Sequence, residues 1–138
     1  MAEARSWVGT PFQHQGRMKQ VGVDCIGLVI CCAAKTGIAL AKRYEADPNT
    51  RRYRERPARY ALLAELQRAC RQVPKEDAKP GDLLCMIVVD NPQHVLLLDH
   101  GGMAIHAAAM LGVSRVVRHR IPPAWWSRST AFVLPGLD

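Results

Sequence analysis

With 138 residues, 49% of them hydrophobic, the chain supports one compact domain, residues 1–138, around a single core. The opening MAEARSWVGTPF carries early charges and no apolar run of signal-peptide or membrane-span length, which predicts a soluble chain made in the cytoplasm without membrane insertion. A formal charge of +7 predicts attraction to polyanions, while five cysteines without CxxC spacing (Cys25, Cys31, Cys32, Cys70, Cys85) argue against a disulfide framework and a zinc site.

Residues 2–8 predict a short helix that stops before Gly9, Thr10 and Pro11, because proline disfavours helical geometry in the residue preceding it. A glycine-containing loop follows to Val23. From Asp24 the run DCIGLVICCAAKTG is continuously apolar, opens on an N-cap residue and ends in Lys35, Thr36 and Gly37, so a buried helix is expected at about 25–36. The stretches 41–57 and 73–81 are rich in charge and proline and read as connectors. Between them, residues 58–72 place Leu62, Leu63, Leu66, Ala69 and Cys70 at helical spacing and predict an amphipathic helix. Arg51, Arg52, Arg54, Arg56 and Arg59 precede it, either as a binding surface or as a solvated linker.

After Pro80 and Gly81 the pattern changes to short runs, LLCMIVV, HVLLLD, MAIHAA, VSRVVRH and AFVLP, divided by turn residues. These predict an antiparallel sheet. Helices first and a strand meander afterwards give an α+β domain, since antiparallel connections need no crossover helix. Trp125 and Trp126 read either as an exposed aromatic lip or as the closing edge of a small core.

Cys25 is the candidate nucleophile, because the tip of a helix favours thiolate over thiol. The other cysteines lie within apolar runs, where a thiol acts as a small hydrophobe; for Cys25, membership of the core is the competing reading. A thiolate needs a base, and histidine titrates in the right range. His94 opens one strand and His106 lies in the next. A three-residue turn at His100, Gly101 and Gly102 would pair Asp99 with Met103 and make the two histidines diagonal neighbours on one face. A two-residue Gly-Gly turn would separate them. Asp24 reads as an N-cap or as a group orienting substrate amines.

GTPF, then VDCIGLV, PGDLL, PQHVLLLDHGGMAIHA and the closing AFVLPGL together resemble the NlpC-type cell-wall peptidases, in particular the short versions encoded with phage tail genes. The resemblance implies a papain-like fold with the nucleophile-bearing helix packed on a C-terminal antiparallel sheet. It also implies a triad of Cys25, His94 and His106 that cuts peptidoglycan stem peptides, usually between D-glutamate and a diamino acid, with no cofactor and no metal. Phe12 stands where the family commonly has a tyrosine that shapes the oxyanion and substrate pocket, so His14 or backbone N–H groups would take over that contact. Gly27 resembles the family glycine that lets the helix lie close against the sheet.

These features predict an endopeptidase mounted in a virion tail, with peptidoglycan and tail hub or tail-tip proteins as partners. The alternative is a structural tail component of the same fold with little hydrolysis. Nucleic-acid binding is suggested by charge alone, and the sequence lacks the interleaved aromatics that such a surface uses.

Overall fold

The computed structural model describes residues 1–46, 61–88, 91–110 and 112–136. In chain order these form α1 (Ala2–Ser6), the short strands β1 (Arg17–Met18) and β2 (Gly22–Val23), then α2 (Cys25–Lys35), α3 (Ala39–Ala46) and α4 (Ala61–Ala69). There follow β3 (Arg71–Val73), β4 (Leu83–Val88), β5 (Asn91–Leu98), β6 (Met103–Met110), β7 (Val113–Arg120), α5 (Pro123–Ser127) and β8 (Ser129–Val133). Strands β4 to β7 form the expected meander, and β8 returns to lie between β3 and β4, giving the antiparallel order β3-β8-β4-β5-β6-β7. The domain is α+β.

Residues alternate across the sheet, as strand geometry requires. Leu83, Val95, Leu97, Ile105 and Phe132 meet Leu28, Val29 and Cys32 of α2 and Leu62 and Leu66 of α4 in the main core. Leu84, Leu96, Leu98, Ala104 and Ala131 make a second cluster, partly covered by Trp125 and Trp126. The tryptophans therefore close a small core, with α5 capping this face of the sheet.

Two boundaries differ from expectation. The segment 41–57 is not wholly a connector: residues 41–46 complete α3, because Ile38 and Ala41 bury against Ala33 and Ala34 of α2. The helix expected to reach residue 72 stops at Ala69, since Arg71–Val73 pairs with β8 as an edge strand and that pairing overrides helical periodicity. The arginine cluster at 51–59 lies outside the described residues.

The segment after α1 behaves as an irregular edge strand. Gly9 N–H donates to the Val116 carbonyl at 2.9 Å, Val116 N–H to Thr10 at 2.8 Å, and Phe12 N–H to Ser114 at 3.0 Å. It thereby covers the outer edge of β7. On its other side Val23 N–H donates to the Pro11 carbonyl at 3.0 Å and Gln13 N–H to the Val23 carbonyl at 3.1 Å. The loop thus delivers the chain to the start of α2 along a fixed path.

Asp99 fixes the opposite end of β5. Its side chain is 0% exposed and takes two bonds from Arg5 of α1, at 3.0 and 2.7 Å, and one from Arg118 of β7 at 2.7 Å. Hydrogen bonding from Arg5 outweighs the cost of burial and, with Arg118 and the His100 N–H, holds this carboxyl well below the usual carboxylate range. Asp99→Ala, which leaves two guanidinium groups facing an empty site, is expected to destabilise the fold by about 2–4 kcal/mol, read as a lower urea midpoint with an unchanged m-value.

Candidate active site

Cys25 is the first residue of α2 and is 1% exposed. Asp24 caps the helix from an extended backbone: one carboxylate oxygen accepts from Gly27 N–H at 2.8 Å and the other from Gln15 N–H at 3.0 Å. The second bond anchors the 13–16 loop beside the candidate nucleophile. Gly27 has a different role from the one expected. A side chain there would come within 2.7 Å of the Gly16 carbonyl oxygen and 2.8 Å of the Asp24 carboxylate, so glycine admits the loop and the cap rather than the sheet.

All five cysteines are free thiols. Burial pushes Cys32 and Cys85 up to about 12 and Cys70 up to about 11, so these three stay protonated at neutral pH. Cys31 donates its S–H to the Arg17 carbonyl at 3.7 Å. Electrostatic repulsion between the two sulfurs, Cys25 and Cys85 of β4, adds to the shift at Cys85. The next residue of β4, Met86, is the register partner of His94. The ladder slips immediately beyond His94, where Ile87 pairs with Pro92; such bulges re-aim side chains next to functional sites.

The β5–β6 connection is the three-residue turn, with Asp99 N–H donating to Met103 at 2.7 Å and both Gly101 (φ 69°) and Gly102 (φ 71°) in the left-handed region. Leu97 pairs with Ile105 and Leu98 with Ala104, so His94 and His106 share a face. Their rings meet: His94 Nε2 lies 2.7 Å from His106 Nδ1. Both are buried, at 6% and 1% exposure.

A third imidazole extends the pair. His106 Nε2 lies 2.7 Å from His119 Nε2, and His119 Nδ1 lies 2.8 Å from the Arg120 carbonyl oxygen. The sequence reading passed over His119. Its signal lies in the second hairpin, where Met110 pairs with Val113; continuing that register puts His119 diagonal to His106. Trp125 packs edge-on against both rings, with centroids at 5.6 and 5.2 Å. Burial, followed by the neighbouring His94 and His119, lowers His106 to about 3.

Phe12 is half-buried against the main core, bonded through its backbone to β7. His14 is exposed in the turn next to Gln15, so the Asp24 bond holds its backbone near the start of α2 while its side chain faces solvent. Among the described residues no cluster of three or more His, Cys, Asp or Glu is arranged to hold a metal ion.

The sequence model described as the NlpC/P60 family matches residues 9–131. The chain belongs to this family. Solved NlpC/P60 structures share the papain-like α+β fold. The domain of the peptidoglycan hydrolase SagA superposes with a TM-score of 0.60 at 21% identity, covering 96% of this chain and 92% of that one. The peptidoglycan hydrolase RipB of Mycobacterium tuberculosis superposes at 0.64 and 22% identity, covering 96% of this chain and 62% of that one. RipD of the same organism, described as a non-catalytic NlpC/p60 domain protein adapted to peptidoglycan binding, superposes at 0.61 and 17% identity over 99% and 93% of the two chains. No curated protein sequence matches.

The environment of His106 sets a pH dependence for this NlpC/P60 domain. Its folded value of about 3 lies below the unfolded value of about 6.5, so between the two the unfolded chain binds the extra proton. Stability from this group is complete above about pH 6.5 and falls with pH, by up to about 1.4 kcal/mol per unit, toward 3. Urea unfolding between about pH 6.5 and 4.5, above the carboxylate range, is expected to show this slope in the wild type and a shallower one in His106→Gln.

Proposed function

We propose that this domain is a cysteine endopeptidase that hydrolyses peptidoglycan stem peptides, with Cys25 as nucleophile, His94 as base and His106 as the residue that orients it. The observation that carries this reading is the 2.7 Å bond between His94 and His106, beside a candidate nucleophile that opens α2. With Nε2 of His94 committed to His106, Nδ1 is the nitrogen that takes the thiol proton. The thiolate attacks the peptide carbonyl, the resulting oxyanion is met by backbone N–H groups at the start of α2, and the His94 imidazolium protonates the leaving amine. Water then attacks the acyl-enzyme thioester, with His94 accepting its proton, and releases the acid and the free thiol.

The bond between D-glutamate and a diamino acid is the proposed target. Asp24 has both carboxylate oxygens engaged by backbone N–H groups, so its role is to hold the loop and helix that frame the site. Phe12 and His14, on that loop, are proposed to line the substrate side. The proposed setting is a phage or prophage tail tip, in contact with hub or tip proteins, with action on the wall during infection.

A second reading has one specific support: RipD shows that a domain of this fold can serve binding without catalysis. The two separate in a muropeptide-release assay on purified walls. The peptidase reading expects release by the wild type and at least about a thousandfold less by Cys25→Ala. Equal release by the two proteins, or sedimentation with walls and no release at all, would overturn it.

A further inference from the structure

The chain of three imidazoles has a direction, and the direction is set at its far end. A carbonyl oxygen only accepts, so the 2.8 Å contact from His119 Nδ1 to the Arg120 carbonyl puts the proton of neutral His119 on Nδ1. Its Nε2 then holds a lone pair and accepts from His106, whose proton must sit on Nε2 at the 2.7 Å contact. The remaining nitrogen of His106, Nδ1, is left as an acceptor and takes the Nε2–H of His94, again at 2.7 Å. Each ring determines the tautomer of the one before it.

We propose that His119 is a positioning residue: anchored on the Arg120 carbonyl, it orients the imidazole chain so that His94 presents Nδ1 as its basic nitrogen. This deepens the peptidase reading, on which the use of that nitrogen rests. The direction of the chain itself stands on geometry alone.

Two features make the arrangement a built one. His106 is 1% exposed, so a ring nitrogen left without a partner there would carry the cost of an unsatisfied buried polar group. Trp125 lies edge-on to both His106 and His119, and this apolar cover limits water as a substitute acceptor. The polarity also survives the reaction cycle. When His94 gains a proton on Nδ1 it keeps its Nε2–H directed at His106, and neither of the other rings has to reorganise. If the end ring offered a donor to His106 instead, His106 would carry its proton on Nδ1, and neutral His94 would carry its own on Nδ1, the wrong nitrogen for accepting from a thiol.

The test is a long-range proton–nitrogen correlation spectrum of the full chain labelled with nitrogen-15 in histidine, recorded at mildly basic pH, beside peptide-cleavage kinetics. In the wild type the expected protons are on Nδ1 of His119 and on Nε2 of both His106 and His94. His119→Phe keeps a ring but removes the acceptor. It should mix the tautomers of His94 and lower kcat about tenfold to a hundredfold with KM little changed. His119→Gln, whose amide oxygen can accept the same bond, should restore the wild-type tautomers and bring kcat to within about threefold.

Wild-type spectra with the His94 proton on Nδ1 would overturn the proposal, as would His119→Phe with unaltered tautomers and kcat. If His119→Phe fails to fold, the wild-type spectrum and His119→Gln still decide. If the wild type cleaves no wall peptide, the peptidase reading falls, and the tautomer pattern continues to test the direction of the chain.

Discussion

Everything at the candidate site depends on the register of one hairpin. Side chains alternate strictly along a strand, so a one-residue slip between β5 and β6 would carry His106 to the opposite face and leave His94 without its partner. Asp99 is the pin that forbids the slip. Its carboxylate accepts from the His100 N–H at 2.8 Å inside the turn and from Arg118 across on β7, and its backbone N–H closes the turn onto Met103. Because Arg118 directly precedes His119, the same ion pair that fixes the first hairpin also fixes the strand bearing the third imidazole. Arg5 adds α1 to the clamp, and the segment after α1 covers the edge of β7 before leading to Asp24 and Cys25. A single buried carboxylate therefore connects the placement of His94, His106 and His119 with the path of the loop that leads to the candidate nucleophile.

What could be read from the sequence was what local chemistry determines. Helix α2 announces itself by an N-cap aspartate, an unbroken apolar run and a glycine stop, all within one short segment. Adjacent glycines marked a turn at residues 100–102 but suited a two-residue turn as well as a three-residue one, so the shared face of His94 and His106 was one of two readings until the register decided it. What escaped was set by distant partners. Strand β3 is three residues long and exists through its pairing with β8, near the other end of the chain. The contact that Gly27 admits is with Gly16, a loop residue whose return to the helix leaves no periodic trace. The partner Arg5 lies 94 positions from Asp99, and nothing in HVLLLDHGG points to it. His119 was hidden by one further step of the same logic, because its face depends on a second hairpin register stacked upon the first.

A neutral imidazole as the third member has an electrostatic consequence for the first. A carboxylate in that place would stabilise an imidazolium at His94 by full charge, but burying it among Ala104, Leu96 and Trp125 would cost several kcal/mol in lost hydration. Neutral His106 avoids most of that cost and returns less, a hydrogen bond and a dipole in place of a charge. On the proposed reading, a thiolate–imidazolium pair would then draw more of its stabilisation from the other side, from the N-terminal turn of α2. There Asp24 presents a conflict, since a carboxylate directly precedes the candidate nucleophile in the chain. The conflict is eased because both carboxylate oxygens are turned onto backbone N–H groups, those of Gly27 and Gln15, which draw the charge into the cap. The helix tip and the imidazole chain are thus complementary halves of one balance, and the weaker the charge on the histidine side, the more the site depends on the glycine that lets the loop and the cap close over the start of the helix.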